Sequence, residues 1–170
     1  MVIRDWSSDV CSSDLLDGGR EPLNHRVDPE TAVELELADP VRRRQWAEFQ
    51  DKYETLPEDR RLYTCGAGVT GFHVDADGTL RPCLMVARPA ADLLRAEFKQ
   101  IWRDIIPRLH DKMAGNSFPC SRCEARLVCG SCPAFFELET GAETTPADYV
   151  CQLGRLRAER LHRYQTRIGD

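Results

Sequence analysis

Seven cysteines between Cys65 and Cys151 are the residues of this chain whose type and spacing can do chemistry. Twelve residues separate Cys65 from Gly78, and four separate Gly78 from Cys83. Downstream, Cys120-x2-Cys123-x5-Cys129-x2-Cys132 forms a compact knot, and Cys151 follows 19 positions beyond Cys132. Thiolates are soft ligands suited to zinc, copper(I) or iron–sulfur clusters. A C-x2-C loop lets two sulfurs reach one centre. Seven thiolates exceed one tetrahedral site and fall one short of two. Two centres, one with an incomplete protein ligand set, is the simplest count.

The rest of the composition favours metal over disulfides. The chain has 170 residues, 42% hydrophobic and 30% charged, with a net charge of −5. That charge gives no reason to expect nucleic acid or an anionic membrane as a partner. No apolar run approaches the roughly 20 residues that span a bilayer, and no secretory signal is visible. We therefore expect a cytoplasmic protein, in which dense cysteine points to metal. Met1 to Leu15 (MVIRDWSSDVCSSDL) resembles a translated sequencing-adapter read. We set it apart as non-native, and its Cys11 with it. On that reading the gene product extends upstream and this chain is a fragment.

The elements that must position the cysteines can be read in turn. Asp28-Pro29 and Asp39-Pro40 are helix starts, with Asp as N-cap and Pro at the first helical position. In the second helix Val41, Trp46, Phe49 and Tyr53 share one face. Residues 70–83 read as a β-hairpin turning at Asp75-Ala76-Asp77-Gly78, and Gly78 permits the positive φ that a tight turn needs. This hairpin would bring Cys65 and Cys83 together. A helix is expected to begin near Ala91, with Leu94, Phe98, Ile101, Trp102 and Ile105 at helical spacing. Pro107 should end or kink it, while Leu109 and Met113 continue the stripe. Residues 115–146 show little periodicity and predict little hydrophobic core, so metal would supply much of their stability. A last helix from about Ala147 to Thr166 turns Val150, Leu153, Leu156, Leu161 and Tyr164 inward.

The cysteine pattern, with its correctly spaced Gly78, resembles the SPASM domain at the C-terminus of radical S-adenosylmethionine (SAM) enzymes. Members of that family mature peptides, activate anaerobic sulfatases and act in redox-cofactor biosynthesis. The resemblance spans Cys65 to Cys151. It departs at Cys129-x2-Cys132, where the family usually has three intervening residues. It implies one 4Fe-4S cluster on Cys120, Cys123, Cys129 and Cys151 and a second on Cys65, Cys83 and Cys132. Family members often supply the fourth ligand of the second cluster from an upstream cysteine. Residues 56–64 contain none, which leaves an open iron or an oxygen ligand such as Asp59 or Glu58.

Sulfatase-maturing members carry Asp immediately after the equivalent of Cys83, and Leu84 stands there in this chain. Cys132-Pro133-Ala134 and Glu139-Thr140-Gly141 look like members associated with peptide maturation. The resemblance thus implies electron transfer and the seating of a peptide substrate, with the radical SAM core and an electron-donor protein as partners. Catalysis in the family needs a C-x3-C-x2-C loop for a third cluster that cleaves SAM. This chain has no such spacing, so SAM and that cluster are expected only in a missing N-terminal core.

The resulting expectation is an α+β fold. Residues 1–15 form the non-native tail, and 16–56 form the remnant of a partial (β/α) barrel with linker helices. Residues 57–170 form a small cysteine-rich domain with a β-hairpin and helices around two iron–sulfur clusters. The alternative is a zinc-stabilised interaction module without a redox role. The paired C-x2-C units suit zinc, but the five-residue spacer is short for a zinc ribbon and three cysteines would go unexplained.

Other signals carry less. Asp75 to Gly78 resembles the start of a calcium loop but lacks the distal ligands. His25, His73, His110 and His162 have no metal-ligand spacing and read as exposed. Arg155, Arg157, Arg160, Arg163 and Arg167 read as a solvated face near a helix C-terminus.

Overall fold

A computed structural model describes Gly19, residues 21–52 and residues 60–168, with residues 51 and 164–168 described by backbone alone. Cys11, Tyr53, Glu58 and Asp59 lie outside the described residues, as do the side chains of Tyr164 and Arg167. The fold is α+β, with one small antiparallel sheet among helices.

The chain enters through a 3-10 turn, Glu21–His25, and two helices, α1 (Pro29–Ala38) and α2 (Pro40–Lys52). Asp28 caps α1: its Oδ1 accepts from Thr31 N–H at 3.0 Å, which also holds its carboxyl below the usual range. Pro29 fills the first turn, where no N–H is needed. The expected apolar face of α2 is only partly covered. Val41 and Phe49 are exposed, and Trp46 packs edge-on against Phe49 and under the Arg157 guanidinium.

The hairpin forms where the sequence places it. Strand β1 (His73–Val74) pairs with β2 (Thr79–Arg81) in the register His73–Arg81 and Val74–Leu80. The turn closes through Gly78 N–H to Asp75 O and Asp75 N–H to Thr79 O, both 2.9 Å. Gly78 takes φ 87°, and Asp77 Oδ1 accepts from Thr79 N–H.

A third strand replaces the helix expected at Ala91. Strand β3 (Ala91–Asp92) pairs with the free edge of β2, and the next helix, α3 (Phe98–Asp104), begins seven residues later than expected. Asp92 is the reason. Its side chain accepts from Leu94 N–H at 2.7 Å and its carbonyl from Arg95 and Ala96 N–H, which folds 92–96 into a turn. Leu94 is accordingly exposed, lying over Gly78 rather than in a helical stripe. Pro107 acts as expected: α3 stops at Asp104, and Pro107 sits in the first turn of a 3-10 segment, Ile106–Leu109.

Residues 115–146 are not core-poor, which corrects the expectation for them. A 3-10 turn (Pro119–Arg122), α4 (Arg126–Cys129) and α5 (Pro133–Thr140) occupy the stretch. Phe136 is 1% exposed, Val128 1% and Ala134 0%, with Cys120, Ala125 and Phe135 also buried. Helix α5 has a legible start and stop: Pro133 in the first turn and Gly141 in the left-handed conformation at its end, φ 82°. The dense cysteine, glycine and proline hide an apolar stripe only two turns long. Finally α6 (Asp148–Ile168) packs against α1, α2 and α4 and buries Leu153 and Leu161. Among the described residues no helix is long and apolar enough to cross a membrane.

Candidate metal centre

The seven cysteines arrive from separate pieces of chain. Cys65 sits on the bend before β1, and Cys83 two residues beyond β2. Cys120 lies in the 3-10 turn, Cys123 caps it, and Cys129 is the last residue of α4. Cys132 is the N-cap of α5, and Cys151 occupies the first turn of α6. Gly130, left-handed at φ 66°, lets the chain reverse between Cys129 and Cys132. All seven are unpaired thiols.

Their mutual influence sorts them into two sets. Burial pushes the Cys120 thiol up to about 11, and the neighbouring Cys129, Cys151 and Cys123 push the same way, opposed by Arg126. Burial also raises Cys151, opposed by Arg155, with Cys129 and Cys123 adding to the rise. Cys132 is raised by burial, then by Cys83 and Cys65, against the backbone N–H groups of Phe135 and Ala134, which favour its thiolate. Cys120, Cys123, Cys129 and Cys151 thus form one neighbourhood, and Cys65, Cys83 and Cys132 another. The hairpin brings Cys65 and Cys83 into the same neighbourhood, as its length suggested.

Crowded thiols with raised pKa values repel one another once ionised. A bound cation that displaces their protons removes that repulsion, so the donor set fits a thiophilic metal group. Among the described residues, however, no three His, Cys, Asp or Glu side chains converge tightly enough to hold a single metal ion. A cleft of about 80 Å³ opens between the two sets, lined by Cys65, Cys120 and Cys132 with Arg61, Arg126 and Ser131.

Two contacts with α6 fix the first set, and neither is visible in the cysteine spacing. Gly154 lies against Cys129: a Cβ there would stand 2.2 Å from the Cys129 Cβ and 2.9 Å from its Cα. Arg157, three residues on, is 6% exposed rather than solvated. Its Nε meets Glu36 Oε2 at 2.8 Å, its Nη1 donates to Val128 O beside Cys129, and its guanidinium lies 4.8 Å from the Trp46 ring centroid. Trp46 Nε1 in turn donates to Glu36 Oε1 at 2.9 Å. Arg160 extends the pairing to Glu30 and Glu34 of α1. The arginines on this face of α6 therefore bind it to α1 and α4, whereas Arg155 and Arg163 are exposed.

A polar cluster around the buried Tyr63 adjoins the segment that carries Cys65. Tyr63 is 1% exposed, and its hydroxyl donates to Glu143 Oε1 at 2.7 Å. Lys112 Nζ meets the same oxygen at 2.5 Å and lies 5.6 Å from the Tyr63 ring centroid. Burial, then this hydrogen bond to Glu143, raises the Tyr63 pKa well above the phenol range. Two of the four histidines are half-buried, against expectation: His73 faces Asp75 and His110 faces backbone carbonyls, while His25 and His162 are exposed.

Comparison with protein-family models, curated proteins and solved structures finds no match for this chain.

Proposed function

We propose that this chain is an auxiliary iron–sulfur domain of the SPASM type. It would hold one 4Fe-4S cluster on Cys120, Cys123, Cys129 and Cys151 and another on Cys65, Cys83 and Cys132. The observation that carries the reading is the sorting of seven unpaired thiols into two sets, which agrees with the sets the resemblance implies. When bound, such clusters supply one-electron transfer at a potential tuned by hydrogen bonds to sulfur and by burial.

The chain's own residues would do the tuning and the seating. The N–H groups of Phe135 and Ala134 stabilise negative charge on the Cys132 sulfur. Cys120 is shielded in the core, while Cys65 and Cys123 stand at the surface, where an electron donor could approach. The cleft beside Cys65 and Cys132, with Arg61 and Arg126 in its wall, is our candidate seat for part of a peptide substrate. With no C-x3-C-x2-C in the sequence, cleavage of SAM would fall to a separate radical SAM segment. SAM incubated with the reconstituted chain is expected to yield no 5′-deoxyadenosine.

A zinc-held interaction module is the rival. Anaerobic purification separates the two. The proposal expects brown protein absorbing near about 400 nm, with about eight irons and matching sulfide. Cys83→Ser and Cys123→Ser should each remove about half the iron. Colourless protein with stoichiometric zinc would defeat it.

A further inference from the structure

His110 closes the backbone bend that carries Cys65. It caps the 3-10 segment Ile106–Leu109, where its own N–H donates to Pro107 O at 2.9 Å. From there its ring crosses to a segment more than 40 residues earlier. Nδ1 lies 3.1 Å from Tyr63 O, and Nε2 lies 2.8 Å from Ala67 O. These carbonyls sit two residues before and two residues after Cys65, so one imidazole bridges both arms of the bend.

The chemistry at the two contacts is unusual for a histidine. Both partners are carbonyl oxygens, which only accept. A neutral imidazole has one N–H and serves one of them, whereas a ring carrying both N–H groups serves both.

The rest of the bend is tied through its own backbone. Gly66 O accepts from Val69 and Thr70 N–H, and Gly68 N–H reaches both Gly71 O and Pro82 O, the latter adjoining Cys83. Gly68, at φ 69°, lies so close to the 3-10 segment that a Cβ would stand 2.5 Å from Ile106 Cγ2. The bend is therefore registered against the segment that presents His110 and against the strand end that presents Cys83.

We propose that His110 is a positioning residue for Cys65, bridging the Tyr63 and Ala67 carbonyls so that the Cys65 sulfur is held in the Cys83 and Cys132 neighbourhood. In its account of metal loading the inference rests on the iron–sulfur reading above. The bridge itself does not.

The test compares the full chain with His110→Phe, which keeps a ring but removes both ring nitrogens. In reduced, metal-free protein, alkylation by iodoacetamide with peptide mapping should show the Cys65 rate changed about fivefold in the variant, as the bend loses its tie to the imidazole. Cys123 should be unchanged. After anaerobic reconstitution with ferrous iron and sulfide, the variant should lose about half its iron and one of two reduced-state EPR signals. The signal that survives should be the one abolished by Cys123→Ser. An unchanged Cys65 rate would overturn the bridge. Two wild-type EPR signals in the variant would overturn its role in metal loading. If the wild type itself takes up no iron, the iron–sulfur reading fails, while the alkylation rates still decide the bridge. A change that struck Cys65 and Cys123 equally would indicate general loosening and also count against the inference.

Discussion

Gly154→Ala tests the contact between α6 and the cysteine knot most directly. Glycine inside a helix is unfavourable, and replacing it with alanine should by itself stabilise α6 by about 1 kcal/mol. The surroundings oppose that gain. The new methyl would stand 2.2 Å from the Cys129 Cβ and 2.9 Å from its Cα. Carbon atoms pack at about 3.5–4.0 Å, so the two helices would have to part by roughly 1.5 Å. No flexible side-chain end is available to yield, because the obstructing atoms belong to the Cys129 backbone and its first carbon. Helix α4 is also tied from behind, through Val128 O, to Arg157 of the same helix α6.

Overpacking of this kind costs about 1–3 kcal/mol, enough to outweigh the propensity gain at its middle and upper range. We expect the metal-free, reduced variant to unfold at lower urea with an unchanged slope. Reconstituted protein should hold less iron at Cys120, Cys123, Cys129 and Cys151, because the shift separates Cys129 from Cys151. A variant as stable as the wild type or more so, with full iron, would refute the close approach.

Two further outcomes follow from the polar interior. Arg157→Met should destabilise the fold by about 3 kcal/mol in urea titration, because it removes the charge partner of Glu36, whose side chain is only 17% exposed, and frees Val128 O. Adding Glu36→Met should recover much of that loss, and failure to recover would mean that the pair is not what Arg157 supplies. The pH dependence of the metal-free, reduced protein follows from its thiols. Cys120 is raised from 9.0 to about 11, with Cys132 and Cys151 also raised, so the folded state holds protons that the unfolded state releases. Their contribution to stability is complete below about pH 9 and is lost as pH climbs toward 11. Urea midpoints that stay flat across that window, or rise, would contradict the burial of these thiols.

Much of the local architecture was legible in the chain. The Asp28 cap, the Gly78 turn, the end of α3 before Pro107 and the span of α6 arise between residues a few positions apart, where backbone preference and capping chemistry decide. The Cys120-x2-Cys123 spacing keeps its two thiols in one set, whereas Cys129 and Cys132, at the same spacing, part into different sets where left-handed Gly130 reverses the chain. The errors had local causes as well. Asp92 turned an apparent helix start into a strand and a turn, and the cysteines obscured the Pro133-to-Gly141 helix with its buried Phe135 and Phe136.

By itself, then, the sequence determined the hairpin and several helix ends, while the cysteine groups were an expectation that the family resemblance implied. Only the tertiary structure decided what holds those groups in place. His110 reaches carbonyls 47 and 43 residues away, and Arg157 pairs with an acid 121 residues away. Gly154 matters because Cys129 comes to rest against it. Such partners meet only after the chain has packed. A histidine, an arginine and a glycine that look unremarkable in sequence acquire their roles from the acceptors and the space that folding sets before them.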